Sequence, residues 1–224
     1  MSTSTGPDRS TGPDPSAEGR AGDYLEIDPA SLDPRDAYRL FASVVVPRPI
    51  AWVSTVGADG TRNVAPFSFF NAVGGNPPTV MFSVGSRSGA PKDTLRNARE
   101  TGEFVVHIVD EAIAEKMNRT SGEWPYDVDE FEQADLATDP SSLVAPERIS
   151  GAAVAMEGKV TQIVPVEGTQ YTMIVGRILR YRLRSDLLRA SGLVDALRLR
   201  PIARLGGDEY ATIGGVFEMI RPRV

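Results

Sequence analysis

Short apolar runs separated by Gly-, Pro- and Ser-rich breaks dominate the pattern of this chain. PRPIAWVSTV (47–56) sets Ile50, Trp52, Val53 and Val56 behind a proline that forces an extended start, which predicts a strand. GADG (57–60) reads as a hairpin turn, with residues 62 to 70 as the partner strand. GGNPP (74–78) punctuates, and TVMFSV (79–84) is the next strand. FVVHIV (104–109), residues 152 to 164, residues 170 to 183 and a final FEMI (217–220) complete the extended set.

The period changes where helices are expected. DPRDAYRLFASVV (33–45) offers Asp33 as N-cap and Pro34 at the first helical position. KDTLRNARETGEF (92–104) repeats Leu95, Ala98 and Arg99 at helical spacing, with Asp93 or Thr94 to cap it and Gly102 to end it. DEAIAEKMNRT (110–120) and SDLLRA (185–190) suggest two further short helices, and SGEWPYDVDEFEQAD (121–135) a loop ending in an acidic turn. Six or more strands in hairpin order, interrupted by short helices, argue against a doubly wound sheet and for a mainly antiparallel barrel.

A length of 224 residues suits one sizeable domain. Residues 1–22 consist largely of Ser, Thr, Gly, Pro and Asp, too polar to offset their ordering entropy, so a disordered leader is expected before a single domain over 23–224. No apolar run reaches the length of a membrane span, and the N-terminus lacks a secretory pattern; a soluble, cytoplasmic protein is expected. With no cysteine, the chain has neither disulfides nor thiolate chemistry, so any redox function must be borrowed from a cofactor. A net charge of −6 argues against nucleic acid as a partner.

Several kinds of chemistry drop out. The single histidine, His107, excludes metal sites built on several histidines, and on a strand it reads as a satisfied interior or interface residue. No metal site is expected. The acidic run DVDEFE (127–132) reads as a solvated face. No GxGxxG follows a strand, and no Walker-type loop is present.

What remains is a set of small hydrogen-bonding residues at strand ends: Ser54 and Thr55, then Ser68 and Asn71, beside the helix start Lys92-Asp93-Thr94. A helix N-terminus with a lysine and a threonine suits a phosphate. An ordinary cap beside a solvated lysine accounts for the same residues, so composition leaves both readings open.

Several separated motifs occur together in one order: RPIAWVSTVGADGTRNVAPFSFFNAVGGNPPTVMFSVG, KDTLRNARETGEFVVHIV, SGEWPYDVDEFE and RPIARLGGDEY. Over roughly residues 35 to 215 the chain resembles the flavin reductase-like family of FMN-binding split-barrel proteins, which includes flavoredoxins. The resemblance implies a mainly β, Greek-key split β-barrel with short helical insertions, dimerising with FMN (or FAD) near the subunit interface. It implies flavin and ribityl contacts at Ser54, Thr55, Ala65, Pro66, Phe67, Ser68, Phe69 and Asn71, and phosphate contacts at Lys92 and Thr94. His107 stands where many relatives carry asparagine, which leaves its role open.

Three activities are compatible with these residues. The first is hydride transfer from NAD(P)H to flavin, as in the reductase half of a two-component monooxygenase. The second is a non-catalytic flavin-binding electron carrier fed by a partner protein. The third is a split barrel acting on a specialised small metabolite. The acceptor is fixed by no motif.

Overall fold

A computed structural model describes residues 24–87 and 89–222; the expected leader, residues 1–22, lies outside them. The chain divides into two compact units, one running through Tyr38 and one from Arg39 onward. Helix α1 (Pro34–Val44) begins in the first, where Asp33 accepts from the N–H groups of Arg35 and Asp36 at 2.8 and 3.0 Å, as its N-cap position predicts.

From Arg39 onward strands dominate. β1 (Arg48–Pro49) and β2 (Ala51–Val56) lead into β3 (Arg62–Phe67), followed by β4 (Phe70–Gly75), β5 (Pro78–Arg87) and β6 (Ala90–Pro91). Helix α2 (Asp93–Thr101), β7 (Glu103–Ile108), α3 (Ala114–Arg119) and α4 (Glu130–Gln133) come next. Then follow β8 (Thr138–Asp139), β9 (Arg148–Ile149) and the long hairpin of β10 (Val154–Pro165) and β11 (Tyr171–Leu183). Helix α5 (Ala196–Leu199), β12 (Ile202–Arg204) and β13 (Tyr210–Thr212) complete the set.

The main sheet is antiparallel, in the order β3-β2-β7-β10-β11-β5-β4, with β6 added to β5. Its two outermost strands, β3 and β4, are consecutive in the chain and separated only by Ser68 and Phe69. Laid flat, seven strands at about 4.8 Å spacing would hold those edges roughly 29 Å apart. Two residues span only about 10 Å between their flanking neighbours. The sheet therefore curls on itself, giving the mainly β split barrel expected from the sequence.

Four local expectations change. Residues 62–70 are not one strand, because the link splits them, and β4 takes Phe70 from that expected strand and runs on into Gly74 and Gly75 of the expected break. Lys92, not Asp93 or Thr94, is the N-cap of α2, while Gly102 ends that helix in the left-handed region at φ 69°. SDLLRA yields only a 3-10 turn, Ser185–Leu187, and the helical turn falls later, at α5 behind its cap Asp195. FEMI forms no strand, since β13 is the last regular element described.

The barrel core gathers Val53, Phe67, Phe82, Phe104, Val106, Met156 and Ile174. A second cluster, with Trp52, Val64, Val109, Met117, Phe131 and Ile149, lies on the other face of β2 and β3 beneath α3 and α4. Both faces of β2 are thus buried, which explains its near-continuous apolar run. The Phe104 ring lies flush against the backbone of the β10–β11 hairpin. A Cβ on Gly158 would stand 2.4 Å from it and one on Gly176 2.3 Å.

His107 joins three strands from inside. Its Nε2 accepts from the N–H of Ile149 at 3.0 Å, so the proton sits on Nδ1, which donates to the Trp52 carbonyl at 3.0 Å. Burial pushes its pKa down to about 4; the Trp52 bond opposes this weakly and nearby Arg148 reinforces it. The ring is a neutral, satisfied interior group.

Two outcomes follow from these contacts. Gly176→Ala should destabilise the protein by about 1–3 kcal/mol through overpacking, and Phe104→Leu should recover part of that loss in a double-mutant cycle by urea unfolding. His107 is neutral in both folded and unfolded chains above pH 6.5, whereas between pH 6.5 and about 4 only the unfolded chain takes the proton. Its contribution to stability therefore falls on acidification by about 1.4 kcal/mol per pH unit. Urea midpoints of wild type and His107→Gln should converge as pH drops from 7 to 4.5; parallel curves would contradict the assignment.

Candidate functional site

An open cleft lies where β3 meets the start of α2. Ala65, Pro66 and Phe67 form one wall, and Lys92, Asp93 and Thr94 the facing corner. Asn63 of β3, Thr120, Ser121 and Gly122, after α3, and Glu130 of α4 complete it. Pro66 is tolerated there because β3 is an end strand of the sheet order.

The helix corner follows from its sequence. Lys92 takes an extended backbone behind Pro91, and its carbonyl accepts from the N–H groups of Leu95 and Arg96 at 3.0 and 3.1 Å. The N–H groups of Asp93 and Thr94, in the first turn, have no helical acceptor. Lys92 makes no ion pair among the described residues. Asp93 is held by Arg96 at 2.6 Å.

Beneath this corner lies a buried amide network. The Asn63 Nδ2 group donates to Thr94 Oγ1 at 2.9 Å and to Thr55 Oγ1 at 3.2 Å, and Asn97 Nδ2 donates to Thr55 Oγ1 at 3.1 Å. With its oxygen engaged as acceptor, the Thr94 hydroxyl keeps its proton to donate. Thr120 is fixed likewise: its Oγ1 accepts from Trp52 Nε1 at 2.8 Å and donates to the Met117 carbonyl at 2.8 Å.

The acidic run 127–132 is not the solvated face its composition suggests. Arg62 on β3 donates through Nε to Asp129 at 2.8 Å and through Nη1 to Glu147 at 3.0 Å. Asp129 in turn caps α4 by accepting from the Phe131 N–H at 2.9 Å. Those contacts draw the turn onto the barrel and leave Glu130 only 6% exposed. Its Oε2 accepts from the Val64 N–H at 3.3 Å. Burial pushes its pKa up to about 7, opposed by its own and the Val64 N–H groups and aided by Asp93 and Asp129.

Of the residues singled out from sequence, the cleft brings together Ala65, Pro66, Phe67, Lys92 and Thr94. Ser54 is buried and donates to the Glu147 carbonyl at 2.7 Å, and Thr55 is buried beneath the wall. Ser68 accepts from Arg48 Nε at 3.5 Å, and Phe69 packs against Tyr171 at 5.4 Å between ring centres. Asn71 lies exposed on β4, its Oδ1 accepting from the next N–H at 2.9 Å. Asn63 and Glu130 were missed. A polar residue facing a helix start from NVAPFSFFN is the signal for Asn63; none in the acidic run marks Glu130 apart from its neighbours.

One cation, one hydroxyl proton and two first-turn N–H groups without a helical acceptor, sharing the cleft with a carboxyl that burial favours neutral, form a corner suited to a phosphate-like dianion.

The flavin reductase-like domain family matches residues 43–201. A relative from Halalkalibacterium halodurans, of unassigned activity, is 38% identical over 205 residues, 89% of this chain and 98% of that one. The structure of nitrilotriacetate monooxygenase component B from Bacillus cereus matches with a TM-score of 0.86 at 36% identity, covering 89% of this chain and 100% of that chain. The 2-nitrobenzoate 2-nitroreductase NbaA from Pseudomonas fluorescens matches at 0.80 and 32% identity, covering 88% and 96%. The family match spans the β3 wall, the α2 corner and α4 alike, and the chain belongs to the flavin reductase-like domain family.

Proposed function

We propose that this chain is a flavin-binding oxidoreductase that passes hydride from NAD(P)H to FMN and serves, as a homodimer, as the reductase component of a two-component monooxygenase. The observation that carries this reading is the Lys92–Thr94 corner: a lysine, a threonine hydroxyl held by Asn63 and two first-turn N–H groups fit the phosphate that distinguishes FMN from riboflavin. The likeness to a monooxygenase component B supports the role as a reductase partner.

When bound, the flavin ring supplies the two-electron chemistry, and no side-chain acid or base is required of the chain. Lys92 and Thr94 hold the phosphate end. Ala65, Pro66 and Phe67 line the ribityl path and exclude water, and Ser68, Phe69 and Asn71 continue that path along the link and β4. Ser54 and Thr55 act from beneath, Thr55 by fixing Asn63 against Thr94. Exposed Phe41 (55%) and Phe217 (81%) are apolar surface that a second copy would cover, in support of the dimer.

A second reading keeps the flavin and changes the acceptor. The likeness to a nitroreductase favours direct reduction of a small metabolite.

Stopped-flow mixing of flavin-loaded protein with NADH and with NADPH should bleach the flavin absorption band rapidly with at least one; slow reduction by both overturns the reductase reading. Lys92→Ala should weaken FMN by about tenfold or more while leaving riboflavin nearly unchanged, as loss of a charge-assisted contact to phosphate requires. Fluorescence titration measures both, and equal weakening would move the phosphate elsewhere.

A further inference from the structure

Glu130 is a buried carboxyl in the wall of a cleft whose other polar groups suit an anion. A carboxylate buried in the cleft wall and a phosphate dianion beside it repel each other, so binding of the dianion favours the protonated form of the carboxyl. Glu130 is restrained in the wall: the Val64 N–H of β3 donates to its Oε2 at 3.3 Å, and the Arg62–Asp129 pair holds the turn that carries it.

The charged groups around it have settled partners. On α2, Asp93 pairs with Arg96, leaving Lys92 as the cation of the corner. On β3, Arg62 is divided between Asp129 and Glu147. On α3, Lys116 reaches Asp135, beyond α4. Glu132 of α4 itself is exposed. No cation among the described residues pairs with the Glu130 carboxyl, whereas Asp93 and Asp129 both disfavour its ionised form.

We propose that Glu130 sets the charge state of the ligand that this cleft accepts: it admits a phosphate-ended ligand with its own carboxyl protonated, so that binding at alkaline pH draws one proton from solvent into the site. In that form Glu130 donates a hydrogen bond where a fixed carboxylate would repel. The inference rests on the flavin reading above for the identity of the ligand and adds to it a residue that discriminates by ligand charge. Its carboxyl, already pushed up to about 7 in the free protein, rises further when a dianion arrives.

The test uses FMN and riboflavin, titrated into the full chain from pH 6 to 9 and followed by flavin fluorescence. FMN affinity should fall above pH 7 by up to about tenfold per pH unit, the slope of one proton taken up per ligand, while riboflavin affinity stays level. Glu130→Gln, which keeps the acceptor for Val64 and cannot ionise, should bind FMN with little pH dependence. In parallel, the Val64 amide resonance, which reports Glu130 ionisation directly, should shift its titration midpoint upward by roughly one unit or more when ligand is added. A Glu130→Gln protein with the wild-type slope, or a Val64 midpoint unmoved by FMN, overturns the proposal and leaves the flavin reading standing. Failure of both FMN and riboflavin to bind at any pH overturns the flavin reading instead. The Val64 midpoint is then followed with inorganic phosphate alone: an upward shift sustains the proton coupling, and none overturns it too.

Discussion

Two residues, Ser68 and Phe69, connect opposite edges of the main sheet, and the rest of the structure depends on that connection. Their short reach forces the sheet to curl until β3 and β4 approach each other. The connection is itself secured: the Phe69 carbonyl accepts from the Ser83 N–H of β5 at 2.9 Å, and its ring packs against Tyr171 of β11 and Phe41. Arg48, whose guanidinium also donates to the carbonyls of Ala42 and Val45, reaches Ser68. Small polar residues at this point have a structural use whether or not a ligand passes beside them.

Curling the sheet commits β2, the strand next to the β3 edge, to burial on both faces. β2 turns Val53 into the barrel and Trp52 outward, and an apolar outward face needs a cover. Helices α3 and α4 supply it through Met117 and Phe131, and the indole of Trp52 fixes Thr120 at the end of α3. The same cover delivers Thr120 and Glu130 to the cleft beside α2. The cleft is thus a seam between the barrel wall and the layer that the curled sheet requires.

Legibility from sequence followed the range of the interactions concerned. Helix α2 was readable because its spacing and Gly102 are local, and so was the cap of α1 at Asp33. The boundary at residues 68–69 was not, since Phe67, Phe69 and Phe70 continue an apolar pattern across a connection defined only by where two sheet edges meet. Lys92 and Thr94 were found as a helix start, but the partner that orients Thr94 lies 31 residues earlier, at Asn63. Glu130 escaped for the same reason. Its run of acids is polar by composition, and it is buried because Arg62, 67 residues before Asp129, draws the turn inward.

The charge of the whole chain and that of its cleft have opposite implications, and local pairing explains why. A net charge of −6 gives no general attraction for anions, and two acids against one lysine line the cleft formally. Arg96 cancels Asp93 at 2.6 Å while lying over the Tyr126 ring, 3.2 Å from its centre, which restrains it beside that partner. Burial among apolar groups and other acids pushes the pKa of Glu130 up to about 7, which removes about half of its charge near neutral pH. What a ligand meets is then Lys92, the Thr94 hydroxyl and the open N–H groups of the first turn, a net positive corner on an acidic protein. Such a corner attracts over a few ångströms only, so an anionic ligand must be brought there by the apolar wall of β3 as much as by charge. A phosphate carried on a long, partly apolar body satisfies both demands, and a bare small anion satisfies one.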